Sequence, residues 1–320
     1  MMRSGLSRRG FLKAGAAVAG SLLLSTAGGM RAQAAGGVAA GGKGPFRLCF
    51  NTATIMGKNL PITEEIDIAA KAGYDGIEPW IRKIEDYKSK GGSLADLKKR
   101  IADAGLAVED AIGFVGWIMD DEAARAKGVE QMKRDMDLVA QIGGTRIAAP
   151  PVGATDKPGL DLDAAAARYR VILDAGASIG VIPQLELWGH SKNLHRLGQC
   201  MHVIVESGHP KAGLLGDFYH IYKGGSDFAG LTAIGPSALQ IFHMNDYPDM
   251  PRETIGDKDR VMPGDGIAPL AAVLKGIHDR GCRPVLSLEL FSRKFWDQDP
   301  AVVAKEGIEK MRAVIAKATA

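Results

Sequence analysis

Residues 163–188 read DAAAARYRVILDAGASIGVIPQLELW. The segment up to Gly180 spaces its apolar side chains at the period of an amphipathic helix. Gly180 stands where such a helix needs a left-handed residue to stop. The next apolar run, IPQLELW at 182–188, has the length of a strand and carries an acid, Glu186, near its end. Helix, glycine stop and short strand form one unit, and the chain repeats that unit.

From Phe46 onward short apolar runs alternate with amphipathic segments. The strand candidates are 47–51, 74–80, 106–114, 145–151, 182–188, 212–217, 238–245 and 283–290. Helical patterns lie between them, including 62–73, 93–105, 123–143, 163–180, 267–281 and 300–318. Gly73, Gly105, Gly143, Gly180 and Gly281 fit the left-handed cap that ends a helix. Eight such units predict an α/β protein whose strands close into a parallel (β/α)8 TIM barrel. An open doubly wound sheet would carry a glycine-rich phosphate loop after its first strand. The first strand here runs into NTATIMGKN, which is neither GxGxxG nor a Walker A pattern. A hydrophobic fraction of 46% over 320 residues supplies a core large enough for one such barrel.

The N-terminus reads differently. SRRGFLK at 7–13 resembles the twin-arginine export motif of bacteria. An apolar stretch from Ala14 to Leu24 follows, then Ala32-Gln33-Ala34 as a small-residue cleavage site. The stretch is too short and glycine-rich to span a bilayer. The expected organisation is a signal peptide at 1–34, a flexible linker at 35–45 and the barrel at 46–320. The resemblance implies periplasmic or secreted localisation and the twin-arginine translocation machinery as a partner. Arg3, Arg8, Arg9, Lys13 and Arg31 face no acid, so the net charge of +3 owes part of its excess to this segment. The remainder is near neutral and excludes the global electrostatic footprint of a nucleic-acid binder. Cys49, Cys200 and Cys282 show no CxxC spacing and are expected to be buried thiols.

Four side chains stand near the ends of consecutive strands five to eight: Glu186, Asp217, His243 and Glu289. In a barrel that end is the functional face. Two Glu, one Asp and one His form a mixed oxygen and nitrogen ligand set for one divalent cation. The oxygen-rich composition favours manganese, with magnesium, cobalt or zinc as alternatives. Glu186 and Glu289 are also expected to move a proton between neighbouring carbons of a sugar. Trp80, Trp117 and Trp188 follow strands and are candidates for an apolar wall against sugar C–H faces. Asp246 is expected to orient His243.

DFYH (217–220), HMND (243–246), RVMPGDG (260–266) and SLELF (287–291) resemble the xylose-isomerase-like sugar phosphate isomerase/epimerase superfamily, as does GYDGIEPW at 73–80. The resemblance runs over roughly 46–318. It implies that Glu186, Asp217, His243 and Glu289 hold the cation one by one, and that His220 and Arg260 contact substrate oxygens. Glu78, Trp80 and His190 are further substrate-contact candidates. The multiplied His cluster of the trinuclear nucleases in that superfamily is missing.

The expected function is isomerisation or epimerisation of a non-phosphorylated keto sugar through an enolate or enediolate. A lyase or hydratase acting on a 3-keto-sugar or keto-glycoside would use the same carboxylates, and a non-catalytic sugar-binding protein is a third reading. A homo-oligomer stays open.

Overall fold

The computed structural model describes residues 44–320. The twin-arginine motif, its apolar stretch, the cleavage site and nearly all of the linker lie outside the described residues. Among the described residues no helix is long and apolar enough to cross a membrane.

Eight strands appear: β1 (Leu48–Asn51), β2 (Gly76–Glu78), β3 (Ala107–Val108), β4 (Arg146–Ala149), β5 (Ile182–Glu186), β6 (Leu214–Asp217), β7 (Leu239–Met244) and β8 (Val285–Leu288). Their order in the sheet is β3-β2-β1-β8-β7-β6-β5-β4, and every pairing is parallel. The two ends of this series meet. Ala148 N in β4 donates to Ala111 O just beyond β3 at 2.9 Å, and Arg146 Nη1 donates to Glu109 O at 3.0 Å. The sheet is therefore the expected TIM barrel. Strands β2 and β3 are shorter than their apolar runs. Pro79 brings no N–H to the ladder, and the pairing resumes only at the isolated bridge between Trp80 and Ile112.

Ten helices surround the strands: α1 (Ile62–Ala72), α2 (Ile81–Ser89), α3 (Leu94–Asp103), α4 (Glu122–Gln141), α5 (Leu162–Ile179), α6 (Leu197–Glu206), α7 (Phe218–Gly224), α8 (Leu270–Asp279), α9 (Arg293–Trp296) and α10 (Pro300–Thr319). Local chemistry sets their ends. Ser93, Asp121, Asp161 and Asp299 accept backbone N–H groups as N-caps of α3, α4, α5 and α10. All five glycines expected to stop helices have positive φ; Gly73, at 90°, returns its N–H to Ala69 O and Ala70 O. The sequence pattern does not mark α2, α6, α7 and α9. Helix α6, LGQCMHVIVE, is rich in β-branched residues and nearly as apolar as a strand.

One large core fills the space between sheet and helices. A second, small cluster of Cys49, Ile112, Ala148, Leu215, Ile241 and Val285 fills the barrel interior. All three cysteines are buried and unpaired. Strand alternation then positions the site. Side chains two apart share a face, so Leu215 and Asp217, Ile241 and His243, and Val285, Ser287 and Glu289 all point inward. In each strand the apolar member lies deeper and the polar member nearer the C-terminal mouth.

Candidate functional site

The ladder pairs Asp217 with His243, His243 with Ser287, and Asn51 with Glu78. These register pairs put carboxylates, one imidazole and one amide at a single level of the barrel. One ligand atom from each of Asp217, His243 and Glu289 lies within 4.8 Å of the others, and all three residues are buried. Glu186 faces the same pocket as Glu289 but stands outside this tight group. Its register partner is Leu215, one inward position deeper than Asp217.

Each member is oriented by a neighbour. His243 Nε2 lies 3.0 Å from Glu78 Oε1. The carboxylate can only accept there, so the proton sits on Nε2 and Nδ1 is left with its lone pair. That Nδ1 is 3.1 Å from Glu289 Oε2 and 3.7 Å from Asp217 Oδ2, yet it makes no hydrogen bond. Glu78 Oε2 accepts from Asn51 Nδ2 (2.9 Å) and from Ser287 Oγ (2.5 Å). Asn51 Nδ2 also donates to Glu289 Oε1 at 3.0 Å. Asn245 Nδ2 donates to Asp217 Oδ2 at 2.8 Å, and the backbone N–H of His220 donates to Asp217 Oδ1 at 2.7 Å.

Arg260 is the arginine of this cluster and is 1% exposed. Its Nη1 donates to Asp217 Oδ2 (3.1 Å) and Glu289 Oε2 (2.8 Å), and its Nη2 donates to Asp257 Oδ1 (2.6 Å). The guanidinium lies between the rings of Tyr219 and Phe291, 4.5 and 5.1 Å from their centroids. Arg260 Nη2 is also 3.1 Å from His220 Nε2. A guanidinium only donates, so His220 accepts at Nε2 and carries its proton on Nδ1. His220 Nδ1 and Arg260 Nε are buried with no partner. Both residues line the pocket.

The two glutamates titrate in opposite directions. Burial pushes Glu186 up to about 8, helped by the Glu289 and Asp217 charges and opposed by His243. Burial alone would raise Glu289 as well, but His243 and Arg260 hold it down to about 2. Burial lowers His220 to about 4, against the pull of Asp217. Burial opposes charge on His243, but Glu289 and Glu78 raise it well above the ordinary imidazole value. An imidazole whose Nε2–H is held by a carboxylate turns its Nδ1 lone pair to a metal ion. An unpaired buried nitrogen between two carboxylates fits a divalent cation held by Asp217, His243 and Glu289, with Glu186 beside them.

The pocket above the cluster has a volume of about 200 Å³. Its lining combines polar groups, Glu186, His190, His220, Asp257, Arg260 and Glu289, with the apolar Trp80, Ile112, Phe114, Trp188 and Phe291. Trp80 and His190 both line this pocket. Three expectations change. Glu78 does not line the pocket; it is fully buried behind His243 and positions it. Trp117 is also fully buried and donates to Pro150 O, away from the pocket. Asp246 does not orient His243. Its carboxylate accepts four backbone N–H groups, from Tyr247, Gly264, Gly266 and Ala268, and so ties down the loop that follows Arg260.

A family model described as the xylose isomerase-like TIM barrel matches residues 66–314. The chain belongs to this family. Among its relatives in the family is an inosose isomerase of Bacillus velezensis, 27% identical over 277 residues that cover 85% of this chain and 98% of the relative. A 3-dehydro-D-guloside 4-epimerase of Escherichia coli is 23% identical over 78% of this chain and 94% of its own. The fold is also similar to a crystal structure of the IolI protein with a bound zinc atom. The TM-score is 0.78 at 24% identity, covering 85% of this chain and 99% of the other.

Proposed function

We propose that the protein is a divalent-metal-dependent isomerase or epimerase of a non-phosphorylated keto sugar. The observation that carries this reading is the buried Asp217, His243 and Glu289 group, with an unpaired imidazole nitrogen at its centre and two oppositely tuned glutamates at the pocket. The names of the inosose isomerase and sugar epimerase relatives point the same way. Asp217, His243 and Glu289 would hold the cation, with Glu186 as a fourth ligand. When bound, the cation polarises a substrate carbonyl and acidifies the adjacent C–H.

The chain's own residues do the rest. Glu289, held ionised by Arg260 and His243, accepts the proton. Glu186 delivers one from its own side of the pocket. His220 Nδ1–H and Arg260 Nε–H bind substrate oxygens and orient the ring. Among the residues lining the pocket, Arg260 is the only lysine or arginine, and it is already committed to three carboxylates. That leaves nothing to grip a phosphate, in keeping with a free or keto sugar.

The test is incubation of metal-loaded protein with keto sugars in deuterated water. Deuterium entering at one carbon without loss of a substituent supports isomerisation. Expulsion of a β-substituent would point to the lyase reading, and no exchange with any substrate would leave a sugar-binding protein. We also propose export by the twin-arginine route, on the strength of Arg8 and Arg9 in SRRGFLK. Changing both to Lys should hold the precursor in the cytoplasm; undiminished periplasmic accumulation would refute it.

A further inference from the structure

Beside its polar groups the pocket carries a run of aromatic rings, a wall that carbonyl chemistry does not explain. The Trp80 and Phe114 ring centroids are 5.0 Å apart, Phe114 and Trp188 6.0 Å, and Trp80 and Phe291 6.1 Å. Phe114 lies at the outer lip and is 50% exposed. Half of this large apolar ring, flanked by two indoles, is open to solvent.

This wall offers little to a hydroxyl. The Trp80 indole N–H is spent on Asn51 Oδ1 at 3.3 Å. The Trp188 ring packs against His190, with centroids 5.1 Å apart. A sugar hydroxyl pressed against these rings would give up water and gain no partner. An aromatic or C–H face would gain contact instead. A free ketose carries hydroxyls along its whole length. A glycoside carries one ring of hydroxyls and then a group of different character. The cavity of about 200 Å³ takes one small ring at the carboxylate end. Whatever is attached to that ring must leave the cavity past Phe114.

We propose that Phe114, together with Trp80 and Trp188, forms an aglycone subsite, and that the substrates are keto-glycosides with an aromatic aglycone rather than free ketoses. The proposal rests on reading the carboxylate side as the keto-sugar site. Phe114 stacks on the aglycone ring, and the indoles close on its edges.

The test is calorimetric titration of the manganese-loaded protein with two probes, phenyl and methyl 3-keto-β-D-glucoside, and of Phe114→Ala in parallel. The phenyl compound should bind roughly tenfold tighter to the wild type, the difference expected for burying one further aromatic face. Phe114→Ala should bind the two alike, and circular dichroism should show it folded, since the ring it removes is half in solvent. Equal affinities in the wild type, or a phenyl advantage that survives in Phe114→Ala, would overturn the subsite. The same samples in deuterated water separate the two readings. Exchange without a phenyl advantage removes the subsite and leaves the isomerase. A phenyl advantage without exchange keeps the subsite and removes the isomerase.

Discussion

Glu78→Gln is the most informative single change, because it is isosteric, buried and outside the pocket. In the native protein Glu78 Oε1 takes the Nε2 proton of His243, and Oε2 takes the donors of Asn51 and Ser287. A glutamine can satisfy only part of this. If its oxygen stays on His243, its amide N–H2 meets the donors of Asn51 and Ser287. If it flips, the amide forces His243 to carry its proton on Nδ1, where it blocks the ligand position. Either arrangement loses a charge-assisted bond, worth about 1.5–3 kcal/mol. Substitution of a group that orients a ligating histidine typically weakens metal binding about 10–100-fold, which matches that range at about 1.4 kcal/mol per decade. Competition with a chromophoric chelator measures the affinity for zinc or manganese, and nitrogen NMR of His243 reports its tautomer. If Glu78→Gln keeps wild-type metal affinity and the Nε2–H tautomer, Glu78 does not position His243 and the assignment fails.

Other outcomes follow from the same geometry. Glu289→Gln and Glu186→Gln should each slow substrate hydrogen exchange by about a hundredfold to ten-thousandfold, and two variants that exchange at the wild-type rate would rule out the glutamate pair. In Gly266→Ala the new methyl overlaps Tyr247 O and Asp246 Oδ1, so thermal unfolding should show a loss of about 1–3 kcal/mol, and an unchanged midpoint would contradict the tight packing of this loop. Glu65 is 1% exposed, lies 3.5 Å from Lys83 Nζ, and has one carboxylate oxygen unpaired. Burial raises it from 4.5 to about 7, with Lys83 pulling the other way. The folded state therefore holds a proton that the unfolded chain has lost, and stability falls as pH rises from about 4.5 to about 7. Glu65→Gln should remove this slope and gain up to about 3 kcal/mol at pH 8 relative to wild type; denaturant titrations at pH 5 and pH 8 that shift by the same amount would refute it.

Much of the site can be read locally, because a strand's period of two is a local property. Asp217, His243 and Glu289 each follow an inward apolar residue by two positions or close a run of such alternation, and the barrel brings them together. What the pattern does not contain is depth. Glu78 looks like a pocket residue on its strand, and only its register with Asn51 puts it behind His243. Glu186 is in the right strand, yet its pairing with Leu215 sets it apart from the tight group. Asn51, Ser287 and Asn245 carry no local signal of function, since amides and hydroxyls occur on any strand. Asn51 could have been found as another strand-end polar residue, in the same way as Asp217. Trp117 follows a strand as Trp80 does, but its loop folds inward under Pro150. Phe114 and Phe291 acquire meaning only once rings from four loops are seen side by side. The twin-arginine segment is legible by motif alone and lies outside the described residues.

The apolar plug beneath the site has a consequence for isotopes. Leu215, Ile241 and Val285 sit directly under Asp217, His243 and Ser287, and Cys49 and Ala148 pack with them in the barrel interior. This apolar packing closes the site from below among the described residues, and Phe114, half exposed, marks the side open to solvent. With a bound ring filling that side, a proton lifted by a glutamate has nowhere to equilibrate until product leaves. A substrate labelled with tritium at the abstracted carbon should then hand its label to Glu289 and take a solvent-derived proton from Glu186, so product should carry no tritium and the label should reach water only as fast as product leaves.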